Sequence, residues 1–318
     1  MSARGHHGPL VPAAQGGHRI GARLTRSLMS TYNDLVYPSA DGLRLYARDY
    51  PGHGGPARLP VVCIHGLTRN SADFEDVAPW MAGLGRRVLA VDVRGRGKSA
   101  YDPDVRRYHP MNYAGDVMKL AHDLGISRAV FIGTSMGGLV ILTLALRRLS
   151  LIAAAVLNDA GPTVSPRALA RIAEYIGRPA QVTSWEEAAA HVRGLHGAAF
   201  PDLPPEEWPR WARRAFEEAT PGQFVQRYDP GIAAPFRTGK LRHTAWIARY
   251  AFRRLARARP TLLIRGGHSD VIEPEHVAQM RAAAPRLQVT EVPGVGHAPT
   301  LMEPAAQTAL RRFLDHVD

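Results

Sequence analysis

A single cysteine, Cys63, stands in 318 residues, so no disulfide forms within the chain. It lies inside an apolar run and reads as a small buried hydrophobe. Lysine is almost as scarce: Lys98, Lys119 and Lys240 are the only three, in a Lys+Arg total of 40. No apolar run is long enough to span a bilayer. No Cys/His cluster and no H-x-x-x-H pattern is present to hold a metal. These absences exclude a disulfide scaffold, a membrane-spanning helix and a zinc hydrolase. They leave a cytoplasmic protein that needs neither metal nor cofactor as the expectation.

The formal charge of +12 raises the question of nucleic acid or an acidic membrane surface. The basic residues are nearly all arginines, spread through every region in pairs such as Arg147-Arg148, Arg213-Arg214, Arg253-Arg254 and Arg311-Arg312. With Ala, Gly and Pro also abundant, this reads as a coding bias rather than a patch, and no nucleic-acid motif accompanies it. The expected partner is a small-molecule substrate, not nucleic acid or membrane; the oligomeric state is left open. Residues 1–30 hold four arginines, no acid and no periodicity, and are expected to be a disordered basic tail. Its Arg-rich character resembles a transit peptide, and Met29 is an alternative start; a non-catalytic tail is preferred.

Against this background stands Gly133-Thr134-Ser135-Met136-Gly137-Gly138. Arg128 to Ile132 before it reads as a short buried strand, and Gly138 to Leu149 after it as an apolar helix. A G-x-S-x-G between strand and helix is a nucleophile elbow. Neighbours of the serine must be small because strand and helix converge there, and the helix N-terminus favours a developing anion. Two more polar residues follow predicted strands. Asp270, in Gly266-Gly267-His268-Ser269-Asp270, comes after Thr261 to Arg265. His297, in Gly294-Val295-Gly296-His297-Ala298-Pro299, comes after Leu287 to Val292. The order Ser, Asp, His makes Ser135, Asp270 and His297 the expected catalytic triad. Asp159 is the rival acid, since it too follows a strand; Asp270 is preferred for its Gly-rich loop and its place one strand before His297.

The chain resembles the α/β-hydrolase superfamily from about Tyr32 onward, and more closely its cap-bearing esterases, lactonases, cofactor-free haloperoxidases and carbon–carbon bond hydrolases. Asp92-Val93-Arg94-Gly95-Arg96-Gly97-Lys98-Ser99 strengthens the resemblance, which makes it a Gly-rich turn holding the loop beside the site. It is not a Walker A loop, which needs glycine where Asp92 or Val93 stands. The resemblance implies an oxyanion hole from the backbone N–H groups of Leu67, after His65-Gly66, and Met136. His65 itself reads as a structural histidine behind that loop. With Gly66, Trp185 and Trp246 it is kept among the candidate pocket residues.

The expected fold class is α/β: a mostly parallel eight-stranded sheet flanked by helices, with an inserted helical cap. A hairpin turns at Ser39-Ala40-Asp41-Gly42, and strands then alternate with helices. Residues 31–162 and 260–318 form the core and 163–259 the cap, whose tryptophans either knit it together or wall an apolar pocket. The expected function is a serine hydrolase acting on small to medium carboxylic esters or lactones through an acyl-enzyme. Ser135 argues against haloalkane dehalogenases and epoxide hydrolases, whose elbow carries an aspartate. Carbon–carbon cleavage of vinylogous diketones stays an alternative, with Arg167, Arg171 or Arg227 to hold an acid end. Cofactor-free haloperoxidase or perhydrolase activity is another, and a non-enzymatic small-molecule receptor is the reading from a different class.

Overall fold

Runs of Val, Ile, Leu and Ala only four to seven residues long, separated by turn residues, have too little length for helices and the right composition for doubly covered strands. In a computed structural model of the chain, which describes residues 31–237 and 245–317, they form one eight-stranded sheet in the order β1-β2-β4-β3-β5-β6-β9-β10. The strands are β1 (Asn33–Pro38), β2 (Arg44–Tyr50), β3 (Arg58–Ile64), β4 (Arg86–Asp92), β5 (Ala129–Thr134), β6 (Ile152–Asn158), β9 (Thr261–Gly266) and β10 (Gln288–Val292). Only β2 pairs antiparallel with its neighbours, β1 and β4; the other pairs are parallel. The expected basic tail lies outside the described residues.

Helices cover both faces. On one, α2 (Pro110–Asp123), α3 (Met136–Arg147), α8 (Ala245–Ala258) and α9 (Pro274–Ala283) enclose an apolar layer around Phe131, Leu157 and Leu263. On the other, α1 (Val77–Ala82) and α10 (Pro304–Asp315) pack on Val61, Ile132 and Val156. Cys63 is fully buried in that second layer. Burying each such large aliphatic or aromatic side chain contributes about 1.5–3 kcal/mol, which is why these central strands tolerate no polar alternation.

Register fixes where the loops emerge. Ile64 pairs with Gly133, Gly133 with Leu157, and Asn158 with Ile264. The C-terminal ends of β3, β5, β6 and β9 therefore lie side by side, and the loops after them share one edge. A buried guanidinium braces that edge: Arg94 binds Asp116 of α2 at 2.6 and 2.8 Å, Asp102 at 2.6 Å and Asp41 of the first hairpin at 3.1 Å.

Between β6 and β9 lie α4 (Pro166–Tyr175), α5 (Trp185–His196), α6 (Glu207–Ala215), β7 (Phe216–Thr220), β8 (Gln223–Gln226), α7 (Ala234–Arg237) and α8. This differs from an all-helical cap over 163–259 in two ways. Strands β7 and β8 form an antiparallel hairpin, whose turn at Gly222 takes φ +75°. Helix α8 buries Ala251, Phe252, Leu255 and Ala256 in the layer on the sheet with α3, so it is the crossover helix before β9 rather than part of the lid. The lid has its own small core of Val182, Val192, Phe200, Trp208, Phe216 and Phe224.

Candidate active site

Ser135 sits at the turn from β5 into α3 with φ 52° and ψ −113°, a backbone conformation costly for any residue with a Cβ. The surrounding glycines follow from close approach. A Cβ on Gly137 would lie 2.1 Å from the Ile64 carbonyl oxygen, and one on Gly133 2.4 Å from the Gly137 backbone. Ser135 Oγ lies 2.8 Å from His297 Nε2, and His297 Nδ1 lies 2.7 Å from Asp159 Oδ2. The geometry makes Nδ1–H the donor to the carboxylate and leaves Nε2 to accept from the serine.

Asp159, not Asp270, meets the histidine. Asp159 follows β6 directly, with φ 48° and its amide bonded to the Ile264 carbonyl at 2.7 Å; this left-handed turn tucks the carboxylate under the histidine. It is fully buried, and besides His297 it accepts from Ser269 Oγ at 2.6 Å and Gly266 N at 3.2 Å. Asp270 points outward and forms a two-pronged pair with Arg171 of α4, both bonds 2.9 Å. The glycines that favoured Asp270 have another cause: a Cβ on Gly266 would lie 2.2 Å from the Gly296 carbonyl oxygen. They make room for the histidine loop. Ser269, one residue before Asp270, is the part of that loop that reaches the triad.

Leu67 and Met136, the residues expected to supply oxyanion donors, are both contacted by Arg96, which is fully buried. Its Nε donates to the Leu67 carbonyl at 3.0 Å, and Nη2 approaches Met136 Sδ at 3.6 Å. Its other bonds run to the Arg94 carbonyl and Tyr113 hydroxyl, with the Tyr108 and Tyr113 rings beside it. Met136 is the first residue of α3, so its N–H has no carbonyl one turn earlier to bond. Asn158 fixes the histidine loop from below, donating to the Pro299 carbonyl at 2.8 Å and to Thr134 Oγ1 at 3.0 Å.

Over this triad lies a cavity of about 220 Å³, lined by Ser135, His297, Gly66, Leu67 and Met136 from the core and by Ile172, His196, Phe200 and Trp211 from the lid. A family model described as alpha/beta hydrolase fold matches residues 60–304. The chain belongs to the α/β hydrolase fold family. It is 36% identical over 267 residues to the 3-hydroxybutyrate-oligomer hydrolase of Cupriavidus necator, a match covering 82% of this chain and 90% of that protein. It is 30% identical over 246 residues to the sn-1-specific diacylglycerol lipase of Mus musculus, covering 76% of each. A crystal structure of an alpha/beta hydrolase from Novosphingobium aromaticivorans superposes with a TM-score of 0.83 at 41% identity, over 91% of this chain and 100% of that one.

In this α/β hydrolase the candidate pocket residues divide. Gly66 lines the cavity, with the Ser135 Cβ 3.8 Å from where its own Cβ would stand. His65 does not: it is fully buried, Val93 N donates to its Nε2 at 3.0 Å, and its Nδ1 meets the Gly66 carbonyl at 2.7 Å. Burial pushes its pKa down to about 4, so it is a neutral structural brace. Trp185 packs edge-on against Phe224 inside the lid, and Trp246 projects from α8, 66% exposed. The tryptophan that walls the cavity is Trp211. None of Arg167, Arg171 and Arg227 lines it; Arg69 and Arg214 do, and sequence reasoning missed both. Among the described residues no group of three or more His, Cys, Asp or Glu is placed to hold a metal, and no helix is long and apolar enough to cross a membrane.

Proposed function

We propose that this α/β hydrolase cleaves small carboxylic esters through an acyl-enzyme on Ser135. The observation that carries the reading is the unbroken chain Ser135 Oγ, His297, Asp159, at 2.8 and 2.7 Å, opening into a mainly apolar cavity. In the proposed reaction His297 Nε2 takes the serine proton as Oγ attacks the ester carbonyl. Asp159 holds the imidazole tautomer and stabilises the imidazolium. The Leu67 and Met136 amides receive the oxyanion. The imidazolium then protonates the departing alcohol, and water deprotonated by His297 releases the acid. A volume of about 220 Å³ is below the roughly 300–1,000 Å³ of pockets for drug-sized ligands, which favours short esters. The relatives named for oligoester and acylglycerol cleavage support ester chemistry.

The test is intact-mass spectrometry after incubation with a fluorophosphonate, beside Ser135→Ala. One adduct on the wild type and none on the variant is expected. No adduct on folded wild-type protein would contradict the reading and leave a ligand-binding receptor as the better account.

A further inference from the structure

Resting on that ester-hydrolase reading, we propose that Arg69, held by Asp73 and joined by His196, is the specificity-determining element of the cavity. It selects esters that carry a second hydrogen-bonding oxygen, a hydroxyl or another ester carbonyl, a few bonds from the scissile carbonyl.

Arg69 stands on the oxyanion loop, two residues beyond Leu67. A Cβ on Gly66 would lie 3.5 Å from Arg69 Cγ and 3.8 Å from Ser135 Cβ, so the arginine stem runs close beside the nucleophile. Nε and Nη2 are engaged by Asp73 at 2.6 to 3.1 Å. Nη1 has no hydrogen-bond partner among the described residues, and the guanidinium stands 5.8 Å from the Trp211 ring centroid. On the lid side, His196 ends α5 with its ring 6.0 Å from the same tryptophan. Neither of its ring nitrogens has a hydrogen-bond partner among the described residues. Arg69, Asp73, His196 and Trp211 all line the cavity that holds Ser135 and His297.

The loop does not need these spare groups for its own fold. Asn70 already anchors it, donating to the Arg214 carbonyl at 2.7 Å and accepting from Ala72 N at 3.0 Å. An unused guanidinium N–H and an unused imidazole on the wall of the cavity that holds the nucleophile are open to a ligand there.

Charge decides what kind of ligand. Asp73 neutralises Arg69, and Arg214 is taken by Glu75 and Asp76. Burial, then the nearby Arg69 charge, push the His196 pKa down to about 3, so its ring is uncharged at neutral pH. The subsite thus offers no net positive charge to a free carboxylate. It offers one strong donor on Arg69 and a neutral ring that donates at one nitrogen and accepts at the other. A hydroxyl satisfies both, and a carbonyl satisfies the donor.

The experiment compares kcat/KM for two probes of equal length. One is the methyl ester of a 3-hydroxyalkanoate dimer, with a hydroxyl on one side of the scissile ester and an ester carbonyl on the other. The second is an ester with hydrocarbon in those places. The wild type is expected to favour the first by roughly tenfold or more, the scale of one charge-assisted hydrogen bond. The preference should collapse, mainly through KM, in Arg69→Met/Asp73→Asn, which removes the donor without stranding a carboxylate. It should shrink in His196→Phe, which keeps the ring on Trp211. A wild-type ratio near one, or a ratio unchanged in the double variant, overturns the proposal; if the double variant does not fold, His196→Phe decides. Fluorophosphonate labelling of the same samples separates the two claims: labelling without preference refutes only this subsite, whereas no labelling refutes ester hydrolysis itself.

Discussion

Arg96 is a buried cation with no carboxylate beside it among the described residues; carbonyl oxygens, a hydroxyl, a sulfur and two tyrosine rings surround it. It anchors the loop at the Leu67 carbonyl, in the peptide after the one that carries the Leu67 N–H, and so restrains that N–H through the Leu67 backbone. Arg96→Met should therefore lower kcat by about 10- to 100-fold, short of the roughly 100- to 1000-fold for losing an oxyanion donor outright, with a small change in KM. Steady-state kinetics on a p-nitrophenyl ester checks this. Its sequence context, D-x-R-G-x-G-x-S, marks the turn but not which side chain reaches the site. The same limit explains the acid. Asp159 and Asp270 both follow strands at the same sheet edge, and nothing in their neighbours says which backbone turns inward. That difference is made by a φ of 48° at Asp159, a quantity that no residue type states.

At the scale of elements, the strands were legible because full burial on both faces leaves an unmistakable apolar run, and the elbow because its glycines are forced. The lid was less legible. The β7–β8 hairpin is mostly exposed, with Phe216 buried and the next four residues of β7 exposed, so no apolar period announces it. Nor does composition tell which tryptophans face inward. The glycines give a paired prediction. Gly137→Ala would place Cβ 2.1 Å from backbone that cannot move and should prevent folding or strip several kcal/mol of stability. Gly115→Ala, inside α2, meets only the flexible end of Arg147 at 3.3 Å and should stabilise by about 0.5–1 kcal/mol. Thermal melts of the two variants test both signs.

At the scale of the whole molecule, pH sensitivity follows from two histidines held without charge, His65 fully buried and His196 half-buried on the cavity wall. The pKa of His65 falls from 6.5 to about 4 and that of His196 from 6.5 to about 3, both mainly by burial. Between pH 6.5 and 4 the unfolded chain binds protons that the folded chain refuses. Stability is therefore full above about 6.5 and declines as the pH drops toward 4. Each histidine contributes on the order of 3 kcal/mol to that loss. Denaturant midpoints from pH 7 to 4 should fall accordingly. In His65→Asn the slope should be shallower, although the variant starts less stable for want of the Val93 bond. A flat profile in the wild type would contradict neutral burial.

The account turns on which carboxylate serves His297, and the most direct measurement is kcat/KM of Asp159→Asn beside Asp270→Asn on one activated ester. The geometry predicts a loss on the order of 10⁴ for Asp159→Asn, as expected when the imidazole tautomer is no longer held, and less than about threefold for Asp270→Asn, whose partner Arg171 lies at the surface. The reverse pattern, with Asp270→Asn inactive and Asp159→Asn near wild type, would contradict the site as described.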